Sequence, residues 1–216
     1  MKYLLIGIGP GNGLALARRF GRAGFDILMV ARNAAKLREY ESELAAQSIR
    51  AQGYAADISD RAAFQQTLEN ILVEHPDVGV MHYNASAYTE ALPSSLLPEI
   101  FLDDLKTNAL GALIAAQAVL PGMRERKQGT LFFTGGGSAL YPSPNISSLG
   151  AGKAAMRNLV QSLAQECGPL GLHVATVTIN GMVKTSTRFD PDLIAEAFWK
   201  LYQQPAEEWE TEVVFE

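Results

Sequence analysis

Only one cysteine, Cys167, occurs among the 216 residues, and it falls in a largely apolar helical segment. No disulfide can therefore form within the chain, and a reducing compartment is expected. Histidine is almost as scarce: His75, His82 and His173 are far apart, and none sits in a Cys/His/Asp/Glu cluster with ligand spacing, so no metal is predicted. Basic runs are missing too. The net charge of −5 is spread along the chain, which argues against nucleic acid or an anionic membrane as the main partner. No apolar run reaches transmembrane length, and glycine and proline cut the N-terminal apolar stretch before it could act as a signal sequence. A cytoplasmic protein with no membrane partner is expected. Without repeats, low-complexity tracts or linkers, residues 1–216 are read as one domain with a single large core.

Glycine, by contrast, is concentrated. Lys2 to Ile6 reads as a short buried strand, Leu14 to Phe20 has helical spacing, and between them lies Gly7-Ile8-Gly9-Pro10-Gly11-Asn12-Gly13. Glycines at such a junction allow positive φ, let the backbone approach a pyrophosphate, and aim helix N–H groups and the positive dipole end at the anion. The alternative, for the loop standing alone, is a plain turn between strand and helix.

Further apolar runs alternate with helical patterns along the chain. Strands are expected at Phe25 to Ala31, Arg50 to Ala56, Val78 to Tyr83, Gly129 to Thr134, Leu172 to Ile179 and Glu212 to Phe215. Helices are expected after Asn33, from the Ser59/Asp60 pair to His75, from Glu99 to Lys127 with an interruption at Pro121-Gly122, from Leu149 to Cys167, and from Asp192 to Tyr202. This rhythm implies right-handed βαβ crossovers: an α/β fold, a single Rossmann-type doubly wound parallel sheet of about seven strands with helices on both faces. Ligands bind such sheets outside the carboxyl ends of the strands. The unusual residues cluster there: the glycine loop, Arg32, Asp57, Asn84, Gly135 to Ser138, and Asn180-Gly181.

Arg32 stands where a dinucleotide fold meets the adenine ribose; an acid there would bond the 2′-hydroxyl, whereas a guanidinium favours a 2′-phosphate, so NADP(H) is favoured over NAD(H). A solvated arginine at a helix start is the alternative. Asp57 could accept a bond from an adenine amino group or cap the following helix.

Along nearly its whole length the chain resembles the short-chain dehydrogenase/reductase family. Gly7, Gly11 and Gly13 match its glycine pattern, Asp57-Ile58 its adenine-pocket motif, and Asn84-Ala85-Ser86 the Asn-Ala-Gly after strand four. Asn108, with Gly111, matches its helical asparagine, and Gly150 to Ala155 resembles the stretch around its active-site lysine, here Lys153. Asn180-Gly181-Met182-Val183-Lys184-Thr185 resembles its Pro-Gly-x-Val-x-Thr, with Asn180 in place of proline. The resemblance implies a cofactor site made by Gly7, Gly9, Pro10, Gly11, Asn12 and Gly13, by Arg32, Asp57 and Ile58, by Asn84, Ala85 and Ser86, and by Lys153, Gly181, Val183 and Thr185. It implies hydride transfer between a nicotinamide and a small carbonyl or alcohol, with tyrosine as acid, lysine lowering its pKa, serine holding the substrate oxygen and asparagine supporting a proton relay.

Two of those four groups are displaced. The tyrosine, four residues before the lysine, falls on Leu149, and the serine, thirteen residues earlier still, on Gly136. Candidate catalytic residues are then Asn108 and Lys153, with Ser138 (or Ser148) supplying a hydroxyl and Tyr141 as a relocated acid; the plain alternative for Tyr141 is a loop residue packed on the sheet edge. The short stretch from Lys184 to Pro191 predicts an open site. An NADP(H)-dependent oxidoreductase with a non-standard proton donor is expected; the alternatives are a catalytically silent NADP(H)-binding protein, acting as redox sensor or assembly partner, and a fold that no longer binds cofactor. Helices from Glu99 and Leu149 correspond to the family's dimerisation helices, and Ala112, Ala115, Ala116 and Ala118 would let them pack closely, so a homodimer or homotetramer is expected.

Overall fold

The computed structural model describes all 216 residues. Its apolar runs become seven strands: β1 (Lys2–Ile6), β2 (Asp26–Ala31), β3 (Ala51–Ala55), β4 (Val78–Tyr83), β5 (Gly129–Gly136), β6 (Leu172–Ile179) and β7 (Glu212–Phe215). They form one sheet in the order β3-β2-β1-β4-β5-β6-β7, every neighbouring pair parallel. Parallel strands require crossovers, and the crossovers here are helical: α1 (Asn12–Arg22), α2 (Ala34–Ala45), α3 (Arg61–Glu74), α4 (Pro98–Leu105), α5 (Gly111–Arg126), α6 (Ser147–Cys167) and α7 (Pro191–Tyr202).

Strand side chains alternate between two cores. Leu4 and Ile6 face a cluster that α3, α5 and α6 complete with Phe64, Leu68, Val119, Met156 and Val160. Tyr3 and Leu5 face a second cluster, closed by α1, α2 and α7 through Leu16, Phe20, Leu37, Ile194 and Phe198. With both faces covered, an inner strand has no side facing water; all eight residues of β6 are buried. The chain leaves β1 towards β2 and β3, then returns to place β4 on the other flank. The loops after β1 and β4 therefore diverge and leave a crevice between them.

The helix expected from Glu99 to Lys127 is three pieces. After α4 the backbone widens into one π-helical turn, Lys106–Leu110, before α5. The interruption expected at Pro121-Gly122 does not occur, and α5 runs through to Arg126. Pro121 and Gln117 are both exposed, so the carbonyl that the proline leaves without its N–H partner is at the water face, while Ile114, Val119 and Met123 hold the buried face. The α5 alanines also differ from expectation. Ala112, Ala115 and Ala116 are fully buried in the chain's own core and are not offered to a second copy; only Ala118 is partly exposed. No helix is long and apolar enough to cross a membrane.

Candidate functional site

The crevice between the β1 and β4 loops opens into a cleft of about 680 Å³. Gly7 forms its floor. At φ +91° the turn is left-handed, and a Cβ there would lie 2.5 Å from the backbone N and Cα of Ala85, so only glycine fits. A Cβ on Gly13 would lie 2.8 Å from the Cα of Ile8, which lets α1 start tight against the turn. Gly9 and Gly11 differ: nothing lies within 4 Å of where their Cβ atoms would be, so their bare backbone borders the open cleft. Gly11 caps α1 without a side-chain bond, and the first turn of α1 carries no acid. The free N–H groups and the positive end of the helix therefore meet an anion-sized space. Asn12 Oδ1 is buried there without a partner. The bare glycine backbone and the uncapped helix N-terminus fit a pyrophosphate; Asn12 Oδ1, an acceptor, does not contribute to that fit.

At the far end β2 delivers Arg32 to the cleft wall, exposed and with no ion pair within 4 Å. Asn33 caps α2 by accepting a bond from the Lys36 N–H at 3.0 Å, so Arg32 is not itself part of the cap. Asp57 does not cap α3; Asp60 does, accepting from Ala63 N–H at 3.1 Å. Asp57 Oδ1 instead takes the Ser59 hydroxyl at 2.7 Å and the Ser59 N–H at 2.9 Å. Those bonds, with a smaller contribution from the Arg32 guanidinium, hold its carboxyl below the usual carboxylate range.

Under the cleft floor runs a buried polar chain. Tyr3 Oη and His82 Nδ1 are 2.6 Å apart, and His82 Nε2 and Thr134 Oγ1 2.9 Å. Thr134 donates to Asn84 Oδ1 at 2.8 Å, and Asn84 donates to the Gly7 carbonyl at 2.8 Å. Because the threonine proton is committed to Asn84, His82 donates through Nε2 and accepts from Tyr3 at Nδ1. Burial, reinforced by the nearby Lys153 cation, pushes the His82 pKa down to about 3, so the ring is neutral. Lys153, 6% exposed, donates from Nζ to the Thr134 carbonyl at 2.7 Å, and burial pushes its pKa down to about 8.

The π turn sets the opposite wall. Asn108 points inward, accepting from the Ala87 N–H at 3.0 Å and donating to the Ala87 carbonyl at 2.6 Å, so it pins the loop that follows β4. The Tyr83 hydroxyl bonds the Thr107 carbonyl. Four residues before Asn108, Asp104 is buried and accepts a 2.6 Å bond from Ser148, and both Asp104 and Thr107 line the cleft. Sequence reasoning missed Asp104. Its signal was there: Phe101, Asp104, Leu105 and Asn108 follow the spacing of an inward stripe, and an acid on such a stripe is unusual.

The structure gathers most of the sequence-predicted residues around one cleft. Gly7, Gly9, Gly11, Asn12, Gly13 and Arg32 line the cleft; so do Asp57, Ile58, Asn84, Ala85 and Ser86, and Lys153, Gly181 and Val183. Pro10 and Thr185 are exposed and lie outside the lining. Leu149 and Gly136 both line it, and a Cβ on Gly136 would stand 3.7 Å from Lys153 Cγ and 3.8 Å from Ser138 Oγ. Ser138 itself borders a separate hollow with Pro142 and Gly150. Tyr141 is 63% exposed and is part of neither lining, so it does not pack on the sheet edge. The stretch after Val183 is tied to itself, Lys184 N–H to the Phe189 carbonyl and Thr187 hydroxyl to the Lys184 carbonyl, and leaves the mouth open with Met182 82% exposed.

Comparison with known proteins gives the same outline. The family model described as short chain dehydrogenase matches residues 2–191. The very-long-chain 3-oxoacyl-CoA reductase of Aspergillus niger is 32% identical over 178 residues, and that of Aspergillus clavatus 31% over 177. Each alignment covers 81% of this chain and 51% of the relative, so the chain spans about half the length of these curated relatives. A short-chain dehydrogenase structure from Rhodopseudomonas palustris superposes with a TM-score of 0.89 at 25% identity, covering 100% of this chain and 97% of that one. A metagenomic short-chain oxidoreductase in complex with NADP superposes with a TM-score of 0.91 at 23% identity, over 99% and 96% of the two chains, a likeness of fold. The family match runs from the first residue of β1 to the first of α7 and takes in every residue of the cleft, and the chain belongs to the short-chain dehydrogenase/reductase family.

Proposed function

We propose that the chain is an NADP(H)-dependent oxidoreductase acting on a small carbonyl or alcohol, with Lys153 as its proton-exchanging group. The observation that carries this reading is the ammonium of Lys153: it is buried, anchored to the Thr134 carbonyl, lines the cleft, and is brought by burial to a pKa of about 8. A bound nicotinamide would supply or accept the hydride. Lys153 Nζ would give a proton to the carbonyl oxygen as the alcohol forms and take one back from water, a role for which a pKa near the working pH is suited. Leu149 sets an apolar side chain in the turn before it, and the absence of a side chain at Gly136 leaves the approach to the lysine open. The free Arg32 guanidinium favours NADP(H), and NADP is the cofactor held by the metagenomic neighbour. Tyr141 and Ser138 are weaker donor candidates, since both stand outside the cleft lining. Asn108 keeps its place through the loop it pins. The expected assembly is a homodimer or homotetramer, readable by light scattering.

Leu149 itself favours a second reading, a catalytically silent NADP(H)-binding protein that serves as redox sensor or assembly partner. Calorimetric titration with NADPH and NADH, followed by NADPH oxidation on a panel of aldehydes, ketones and quinones, separates the two. Turnover that disappears in Lys153→Met while NADPH still binds supports the oxidoreductase. Tight NADPH binding with the whole panel unreduced overturns it in favour of the silent protein, and no NADPH binding removes both.

A further inference from the structure

We infer that Asp104 forms a recognition subsite in the cleft for a substrate carrying a hydroxyl or ammonium donor beside its carbonyl group. The inference rests on reading the cleft as a dinucleotide and carbonyl site. Asp104 is 7% exposed, yet it lines the cleft. Its neighbour Asp103 is paired with Lys106 at 2.7 Å, whereas Asp104 has no cation within 4 Å. Its one side-chain partner is the Ser148 hydroxyl, on Oδ2, and an ionised carboxylate can accept about four bonds. Only Oδ2 is engaged, so Oδ1 stays accessible from the cleft and free to take a donor from a bound molecule.

Its position fixes what that donor belongs to. Asp104 and Asn108 are one turn apart along α4 and the π segment, and Ser148 and Gly152 are one turn apart on α6. The two elements meet in matching rungs: Ser148 bonds Asp104, and Gly152 packs directly on the Asn108 side chain. On α6 the adjacent stripe is Leu149 and Lys153, both lining the cleft. The Asp104 carboxylate therefore meets α6 beside Leu149, one turn along the helix from Lys153. A carbonyl oxygen directed at Lys153 would bring a substituent on the neighbouring carbon towards Asp104. A neutral donor there gains a charge-assisted bond; an ammonium also neutralises the carboxylate, and a carboxylate substituent is repelled.

The test uses four ligands that share a methyl ketone and differ in the group attached beside it: aminoacetone, hydroxyacetone, butanone and pyruvate. Their binding to the full chain is measured by ligand-observed NMR, with saturating NADP⁺ and again without it, so that no turnover is needed. The expected order is aminoacetone, hydroxyacetone, then butanone and pyruvate, with the first about tenfold or more tighter than butanone. Asp104→Asn is expected to bring aminoacetone and butanone within about twofold of each other. Ser148→Ala, which keeps the carboxylate, retains the order. A strut between helices would change the melting temperature in both variants without touching the discrimination. Equal binding of aminoacetone and butanone by the unmodified chain, no binding of any of the four, or an order preserved in Asp104→Asn overturns the inference. Where Asp104→Asn does not fold, the unmodified chain and Ser148→Ala decide. Absence of carbonyl reduction would remove the proposed oxidoreductase and leave this binding order as it stands.

Discussion

Leu149 and Lys153 stand four residues apart on α6 and both line the cleft, so an apolar side chain occupies the turn before the buried ammonium. The family resemblance assigns a phenol to that turn. Leu149→Tyr places a hydroxyl one helical turn before the same cation, and reduction of a fixed aldehyde is expected to rise about 100-fold, the lower end of what a positioned general acid contributes. Initial rates of NADPH oxidation read this directly. The gain is expected to vanish in Leu149→Tyr/Lys153→Met, and a variant no faster than the parent would count against a carbonyl bound at Lys153.

Gly7 is the position least able to change. Alanine there must adopt φ +91° and press its Cβ onto the Ala85 backbone at 2.5 Å, a contact that no rotamer can relieve. Gly7→Ala is expected to cost about 2–4 kcal/mol, from strain of about 1–3 kcal/mol plus the overlap. Denaturant unfolding measures the loss. Gly9→Ala, with nothing within 4 Å, is the contrast: close to parental stability but weaker NADPH binding.

Which parts of this site the sequence discloses follows from how local their causes are. The strands and the glycine turn are set by runs of adjacent residues, so Leu172 to Ile179 is legible to the residue. The break expected at Pro121 fails because a proline's cost depends on where its orphaned carbonyl points, and here that is water. The π turn at Asn108 has no local signature; it is held by a bond to Ala87, 21 residues away. Asp104 meets Ser148 across 44 residues, and His82 meets Tyr3 across 79. Tyr141 shows the same limit in reverse. It is close in sequence to Gly136 and Leu149, but the loop that carries it turns outward.

Arg32 tests the choice of dinucleotide. Its guanidinium is free of ion pairs and faces the cleft, so its removal exposes no buried partner and leaves Asp57 held by Ser59. Arg32→Ala is expected to weaken NADPH binding about 10- to 100-fold, the loss of one or two charge-assisted bonds, and to leave NADH binding within about twofold. Parallel calorimetric titrations check it; equal weakening for both nucleotides would place the arginine elsewhere than at a 2′-phosphate.

Lys153 makes stability depend on alkaline pH in an unusual direction. Burial lowers its pKa from 10.5 in the unfolded chain to about 8 in the folded one, so between those values the unfolded state binds more protons. Stability contributed through this group therefore rises as pH increases from about 8 to about 10.5, and below 8 the cost of burying the ammonium is paid in full. Over the whole window the gain approaches about 3 kcal/mol, at 1.36 kcal/mol per unit. Lys153→Met removes the titrating group and keeps the packed stem. Urea unfolding at intervals from pH 7 to 10 is expected to show the parent gaining on Lys153→Met as pH rises, with the two curves running parallel below pH 8. Parallel curves across the entire range would mean that the folded lysine keeps its ordinary pKa, and with it would go the case for Lys153 as the group that exchanges the proton.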